Sequence, residues 1–153
     1  MREQGAGWNV KQTVLEGDDL FRVRADGAVD AGVARDALAL FEVDDLGLDK
    51  IDLLLVHDIG VYQHGEEDNA RHFKALADSG VKALAELKKS GEIKGVGIGV
   101  NEKEVLLASL KIADWDAFLL AGRYTLLEQG PVEDLLPECV ARGTSIIVGG
   151  PLN

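Results

Sequence analysis

Four aliphatic stretches, spaced by segments of helix length, constrain this chain more than any other feature. The first, Ile51-Asp52-Leu53-Leu54-Leu55-Val56-His57, is nearly unbroken, the pattern of a strand buried on both faces. The others occupy 93–100, 117–120 and 144–148. An acidic loop is expected over 65–69, then a helix to about Lys89 in two pieces broken at Ser79-Gly80. Ser79 would cap the second piece, Lys88-Lys89 suit its C-terminal dipole, and Gly91 stops it. Asn101 is expected to cap a helix whose first turn carries Glu102 and Glu104. Pro131 fits the first turn of a further helix, which Pro137 should kink or split and Gly143 should end. Upstream, the spacing of Val33, Ala37, Leu40 and Phe41 predicts a helix over 33–46, with Gly47 as its C-cap glycine. Residues 1–30 show neither a long period nor a low-complexity repeat and are set apart from 31–153 as a poorly defined segment. Buried strands alternating with helices call for a parallel sheet with right-handed crossovers. The fold class is α/β.

Charge narrows the partners. The 153 residues hold 16 Lys+Arg against 27 Asp+Glu, a net charge of -11, which repels nucleic acid and anionic membranes. A hydrophobic share of 46% speaks against wholesale disorder. No apolar run approaches the ~20 residues that span a bilayer, and the first residues lack a signal-peptide core. The single Cys139 makes no internal disulfide, which suits a reducing compartment. The expectation is a cytoplasmic protein with neither nucleic acid nor a membrane as its partner.

In parallel α/β folds chemistry collects at the C-terminal ends of the strands. Here those ends carry His57-Asp58, Asn101-Glu102, Gly122-Arg123-Tyr124 and Gly149-Gly150-Pro151. As an imidazole, His57 could donate to a substrate oxygen or shuttle a proton. Position alone leaves open whether it instead bonds a neighbouring loop. Gly95-Val96-Gly97-Ile98-Gly99 is not a dinucleotide fingerprint, because Val100 stands where the third glycine belongs. Alternate glycines leave one face of that strand bare, for close packing rather than for a ligand.

His57, Asp58, His64, Glu66, Glu67, Asp68 and His72 offer nitrogen and oxygen donors, but in no ligand spacing, and an acidic run is more often a solvated surface. No metal ligand is assigned. Nucleophilic hydrolysis lacks a G-x-S-x-G elbow, and Cys139 reads as a packed residue.

The tips also resemble a known family. The segment Leu46-Gly47-Leu48-Asp49-Lys50-Ile51-Asp52-Leu53-Leu54-Leu55-Val56-His57 is similar to the one that ends at the catalytic histidine of aldo-keto reductases. Leu87-Lys88-Lys89-Ser90-Gly91-Glu92-Ile93-Lys94-Gly95-Val96-Gly97 resembles the passage leading to their nicotinamide-binding residues. Ala121-Gly122-Arg123-Tyr124-Thr125-Leu126-Leu127-Glu128-Gln129 and Gly149-Gly150-Pro151-Leu152-Asn153 resemble the branch acting on aldoses. That branch includes L-fucose, D-threo-aldose and galactose dehydrogenases, with pyridoxal dehydrogenases nearby. The resemblance runs in register from roughly Gly32 to Asn153.

It implies a (β/α)8 barrel that binds NAD or NADP across its strand ends, of which this chain holds about strands four to seven. The implied reaction is hydride transfer between NAD(P) and the anomeric carbon of a sugar or a small aldehyde. By resemblance His57 is the catalytic, substrate-orienting histidine and Asn101 bonds the nicotinamide carboxamide. Tyr124, Gly149, Gly150, Pro151 and Leu152 fall at cofactor-binding positions. Ala121 replaces the family's glutamine, and Gly149 replaces the aromatic residue on which the nicotinamide often stacks.

The family's catalytic Asp, Tyr and Lys belong to its first three strands. The tyrosines here are Tyr62 and Tyr124, and Lys11 is the only lysine before Lys50. A complete barrel takes ~250 residues. The leading expectation is thus an incomplete reductase chain, inactive alone, whose open sheet edges favour self-association. A non-catalytic half-barrel acting as a binding or assembly module is the alternative. A metal-dependent hydrolase using His57, Asp58 and His64 comes third.

Overall fold

The computed structural model describes residues 51–57 and 59–152. The predicted helix over 33–46 with Gly47, the segment 1–30, Asp58 and Asn153 lie outside the described residues. Strand β1 (Ile51–His57) is followed by helix α1 (Val61–Ala75), a π-helical turn (Leu76–Gly80) and α2 (Val81–Ser90). Then come β2 (Ile93–Val100), α3 (Lys103–Ser109), β3 (Ala117–Ala121), a 3-10 turn (Gly130–Val132), α4 (Leu135–Arg142) and β4 (Ser145–Gly149). The four strands form one sheet in the order β1-β2-β3-β4, every pair parallel. This is the α/β arrangement the alternation predicts.

Register divides the sheet into two unlike faces. Leu54, Val56, Val96, Ile98, Val100, Phe118 and Leu120 are all buried and pack with Leu76, Leu84, Leu87, Leu106, Leu135 and Cys139 from the helical side. Each such side chain contributes about 1.5–3 kcal/mol on burial, so this face holds the sheet together. The opposite face pairs Leu53 with Gly95, Leu55 with Gly97, His57 with Gly99, and Ala121 with Gly149. It is small in the middle by necessity. A β-carbon on Gly97 would stand 2.0 Å from the Ala117 carbonyl oxygen and 2.6 Å from Leu55 Cδ2. Close strand packing therefore accounts for Gly97.

The N-terminal end of the sheet is tied by polar groups. The Asp116 carboxylate accepts from Lys88 Nζ at 2.6 Å and from the Val96 N–H at 2.8 Å. Trp115 Nε1 donates to the Ser109 carbonyl at 2.9 Å, and Thr144 Oγ1 donates to the Trp115 carbonyl at 2.9 Å. Asp52 pairs with Lys94 across β1 and β2. In barrels this end reads as stability and the other as chemistry.

The local punctuation differs from expectation at four places. Residues 66–69 are helical rather than a loop. Gly65 (φ 73, ψ 172) kinks α1, and beyond it Glu66, Glu67 and Asp68 are exposed while Asn69 is buried. Ser79 caps nothing: its hydroxyl bonds back to the Ala75 carbonyl at 2.8 Å, and Gly80 stays helical (φ -59, ψ -44), so the chain runs on through a π turn. Asn101 is not the cap of α3, because Glu102 occupies that position with extended backbone. The helix expected from Pro131 is split, as predicted, into the 3-10 turn Gly130–Val132 and α4, but Pro137 does not stand at the break. It lies in the first turn, where an N–H has no intrahelical partner, and Asp134 caps the helix by accepting the Leu135 N–H at 2.7 Å. Gly91 (φ 83) and Gly143 (φ 73) end their helices in the left-handed conformation, as predicted. Among the described residues no helix is long and apolar enough to cross a membrane.

Candidate functional site

Strand β1 ends on His57, half-buried on the face away from the helices and in register with Gly99. The ring lies over β2: a β-carbon on Gly99 would sit 3.3 Å from His57 Cδ2. The missing side chain thus makes room for the imidazole beside the strand that leads to Asn101.

Asn101 follows β2 directly and is exposed. Its Nδ2 donates to the Ala121 carbonyl at 3.0 Å. One N–H and Oδ1 remain for other partners.

The tips of β3 and β4 are bare. The Gly122 N–H donates to the Gly149 carbonyl at 2.8 Å, and a β-carbon on Gly149 would meet Ala121 Cα and Cβ at 3.4 Å. Gly122 (φ 67) and Gly150 (φ 61) turn the chain in the left-handed region, which favours glycine. Pro151 and Leu152 beyond them are exposed.

Tyr124 is half-buried and packs against the hydrophobic core. The next residues fold tightly, with Thr125 Oγ1 accepting from the N–H groups of Leu127 at 3.1 Å and Glu128 at 3.0 Å. This turn leaves Leu126 and Leu127 exposed at the same end of the sheet.

The contact made by one strand-tip residue escapes sequence reasoning. Glu102, read above beside Asn101 and as a complement to its own helix dipole, reaches to the start of α1. Its carboxylate oxygens accept the Tyr62 N–H at 3.2 and 3.3 Å. No sequence signal marks a contact between residues forty apart, although a glycine at position 60 is what makes room for it.

The other ionisable candidates go elsewhere. His64 and His72 bring their rings to 4.6 Å between centroids. Asp68 pairs with Arg71, whose hydrogen bond and charge hold its carboxyl below the ordinary range. Among the described residues no group of three or more His, Cys, Asp or Glu side chains could hold a metal ion. Cys139 is buried in α4, and burial pushes its thiol pKa up, as befits a packed residue.

The model of the aldo/keto reductase family matches residues 42–153. The chain is 44% identical over 109 residues to a pyridoxal 4-dehydrogenase of Microbacterium luteolum, covering 71% of this chain and 32% of that protein. It is 38% identical over 109 residues to a D-threo-aldose 1-dehydrogenase of a Pseudomonas species, covering 71% and 30%. The chain thus spans about a third of the length of these curated relatives. Among solved structures, an aldo-keto reductase of Bacillus halodurans in its holo form superposes with a TM-score of 0.60 at 24% identity. That likeness covers 80% of this chain and 37% of the other, and it concerns the fold. The four parallel strands with their helices are a portion of a (β/α)8 barrel.

Proposed function

This chain belongs to the aldo/keto reductase family, and on that premise we propose that its strand tips hold the nicotinamide end of NAD or NADP beside His57. The reaction served is hydride transfer at the aldehyde or hemiacetal carbon of a small sugar or related aldehyde.

The observation that carries this reading is the state of Asn101. Its carboxamide is fixed to the strand tip through one N–H to Ala121, which leaves an acceptor and a donor. A second carboxamide presents the complementary pair. The short residues Ala121, Gly122, Gly149 and Gly150 at the tips support it, since they put no long side chain of their own between a flat group and the backbone. Donor set and cradle fit a nicotinamide.

The bound nucleotide supplies the hydride carrier. The chain's residues do the positioning. Asn101 orients the carboxamide, and His57 bonds the substrate oxygen from β1. The helix-packed face of the sheet keeps the two strand ends at fixed spacing.

The relatives named for pyridoxal and D-threo-aldoses motivate the substrate class, because both compounds offer an aldehyde-level carbon. Tyr62 is exposed at the start of α1, and Tyr124 packs against the core. The resemblance assigns the general acid for the carbonyl oxygen to neither tyrosine, so in this reading these 153 residues bind without turning over.

Titrating the purified chain with NADH and NADPH, by quenching of protein fluorescence, tests this. Saturable binding that weakens about tenfold in Asn101→Ala, the loss of a well-made hydrogen bond or two, is the expected result. Absent binding, or binding indifferent to Asn101→Ala, removes the reading. Reduction of NAD(P)+ with a D-threo-aldose or pyridoxal would refute the lack of turnover.

A second reading is favoured by one observation. Among the described residues no helix covers the face that carries Leu53, Leu119 and Ile147, which are only half-buried, and β1 and β4 end the described sheet. In this reading copies of the chain close that face against one another. A strictly monomeric sedimentation profile across micromolar concentrations would remove it.

A further inference from the structure

Helix α1 has no side-chain cap of its own. What a Ser or Asp at the N-cap normally supplies comes here from Glu102, across the strand tips, through both carboxylate oxygens on the Tyr62 N–H. The room for that carboxylate is made by Gly60. A β-carbon on Gly60 would lie 1.8 Å from Glu102 Oε2 and 2.8 Å from Cδ, and the three nearest atoms all belong to Glu102. The backbone of Gly60 is extended (φ -142, ψ 160), a conformation every residue adopts. The glycine is thus required by the carboxylate and not by the turn. Ile59 and Gly60 are buried, so packing and the Glu102 carboxylate both hold the segment leaving His57.

We propose that Glu102 is the positioning residue of the strand-tip site. It fixes the segment that follows His57 to the segment that begins with Asn101, and so sets the spacing of the two side chains. That these two serve substrate and nicotinamide rests on the function proposed above, whereas the clamp stands on its own contacts. Glu102 itself touches neither substrate nor nucleotide in this account.

The test follows amide hydrogen exchange and the His57 ring resonances by NMR in the full chain and in Glu102→Ala, Glu102→Gln, Gly60→Ala and the double variant Gly60→Ala/Glu102→Ala. Glu102→Ala and Gly60→Ala should each speed exchange of the Tyr62 N–H about fivefold, the worth of one hydrogen bond near 1 kcal/mol. The double variant should add nothing, because both changes remove the same carboxylate from the same N–H. Glu102→Gln keeps an acceptor oxygen and should retain most of the protection. The His57 ring resonances should move in both alanine variants, while the Val96 N–H, held by Asp116 at the other end of the sheet, keeps its exchange rate.

Additive effects of the two alanine changes, or unchanged Tyr62 exchange, overturn the clamp. Faster Tyr62 exchange with unmoved His57 resonances also overturns the proposal, since Glu102 would then be a helix cap and no more. Should Glu102→Ala fail to fold, Gly60→Ala against Glu102→Gln makes the same comparison. None of these readouts needs a nucleotide, so a chain that binds none loses the proposed function and leaves the clamp standing, and the converse result is equally distinct.

Discussion

The side-chain amide of Asn101 donates to the carbonyl of Ala121 at 3.0 Å, joining the tip of β2 to the tip of β3. Ala121 stands where the resemblance places the family's glutamine, and its backbone oxygen is what holds Asn101. The carboxamide is thereby oriented before any ligand arrives, which lowers the ordering cost of binding.

That bond distinguishes two substitutions at position 101. Asn101→Ala removes a neutral hydrogen bond at an exposed site and should cost about 0.5–1.5 kcal/mol. Asn101→Asp replaces the donor by an oxygen facing the Ala121 carbonyl oxygen, so it should cost at least as much despite its nearly identical shape. Urea denaturation of the three proteins decides this, and an Asp variant as stable as the parent would show that the bond does not form in solution.

The glycines of β2 give a graded series. Gly97→Ala puts a β-carbon 2.0 Å from a backbone oxygen that has nowhere to go, so the strands must separate. A loss toward the upper end of the ~1–3 kcal/mol range for overpacking, or failure to fold, is expected. Gly99→Ala meets side chains and no backbone: His57 Cδ2 at 3.3 Å, and Leu119 Cβ and Leu55 Cδ1 at 3.8 Å. It should cost under about 1 kcal/mol while shifting the His57 ring resonances. Equal stability of the two variants would mean that the register around Gly97 is not the one described.

The strands were legible because unbroken aliphatic runs permit little else: β1 and β2 fall at 51–57 and 93–100 as read, and β3 and β4 differ from expectation by one residue. The helix stops at Gly91 and Gly143 were legible for the same local reason, a left-handed C-cap that favours glycine. Side chains that choose between two backbone partners were not. Ser79, Asn101 and Pro137 each carry a propensity for a helix start or break. The outcome was set by what lay within reach: the Ala75 carbonyl, the Ala121 carbonyl, and a first turn already capped by Asp134. Glu102 is the extreme case, because its partner N–H belongs to another strand–helix unit. Sequence spacing carries local signals, and the site is assembled from non-local ones.

Asp116 should prove the main polar tie at the end of the sheet away from the site. Asp116→Ala removes both the Lys88 pair and the acceptor for the Val96 N–H, for a loss of about 1–2 kcal/mol. Asp116→Asn keeps an acceptor for Val96 and loses only the ion pair, which is partly exposed and worth ~1 kcal/mol or less. Nucleotide affinity should be unchanged in the Asn variant. A Val96 N–H whose exchange is unaffected by Asp116→Ala would exclude the tie.

The contact between α3 and α4 predicts a pH dependence with a definite sign. Lys103 Nζ bonds Asp134 Oδ2 at 2.8 Å. That hydrogen bond, against a smaller opposing effect of burial, holds the Asp134 carboxyl below its ordinary range and raises the Lys103 ammonium pKa above its own. Asp134 therefore contributes stability that is complete above about pH 4, the unfolded-state value, and is lost as pH falls through the lowered folded value. Lys103 contributes stability that is complete below about pH 10.4 and is lost as pH rises through the raised folded value. Replacing Lys103 by Met removes what the pair contributes on both sides but leaves Asp134 capping Leu135, a smaller cause of its lowered pKa. The difference in urea midpoint between parent and Lys103→Met should thus be flat from about pH 5 to about pH 9 and shrink on either side. It should also shrink in high salt, because the pair is partly exposed. A difference that grows as the pH falls below 4 would mean that Lys103 acts on some group other than Asp134.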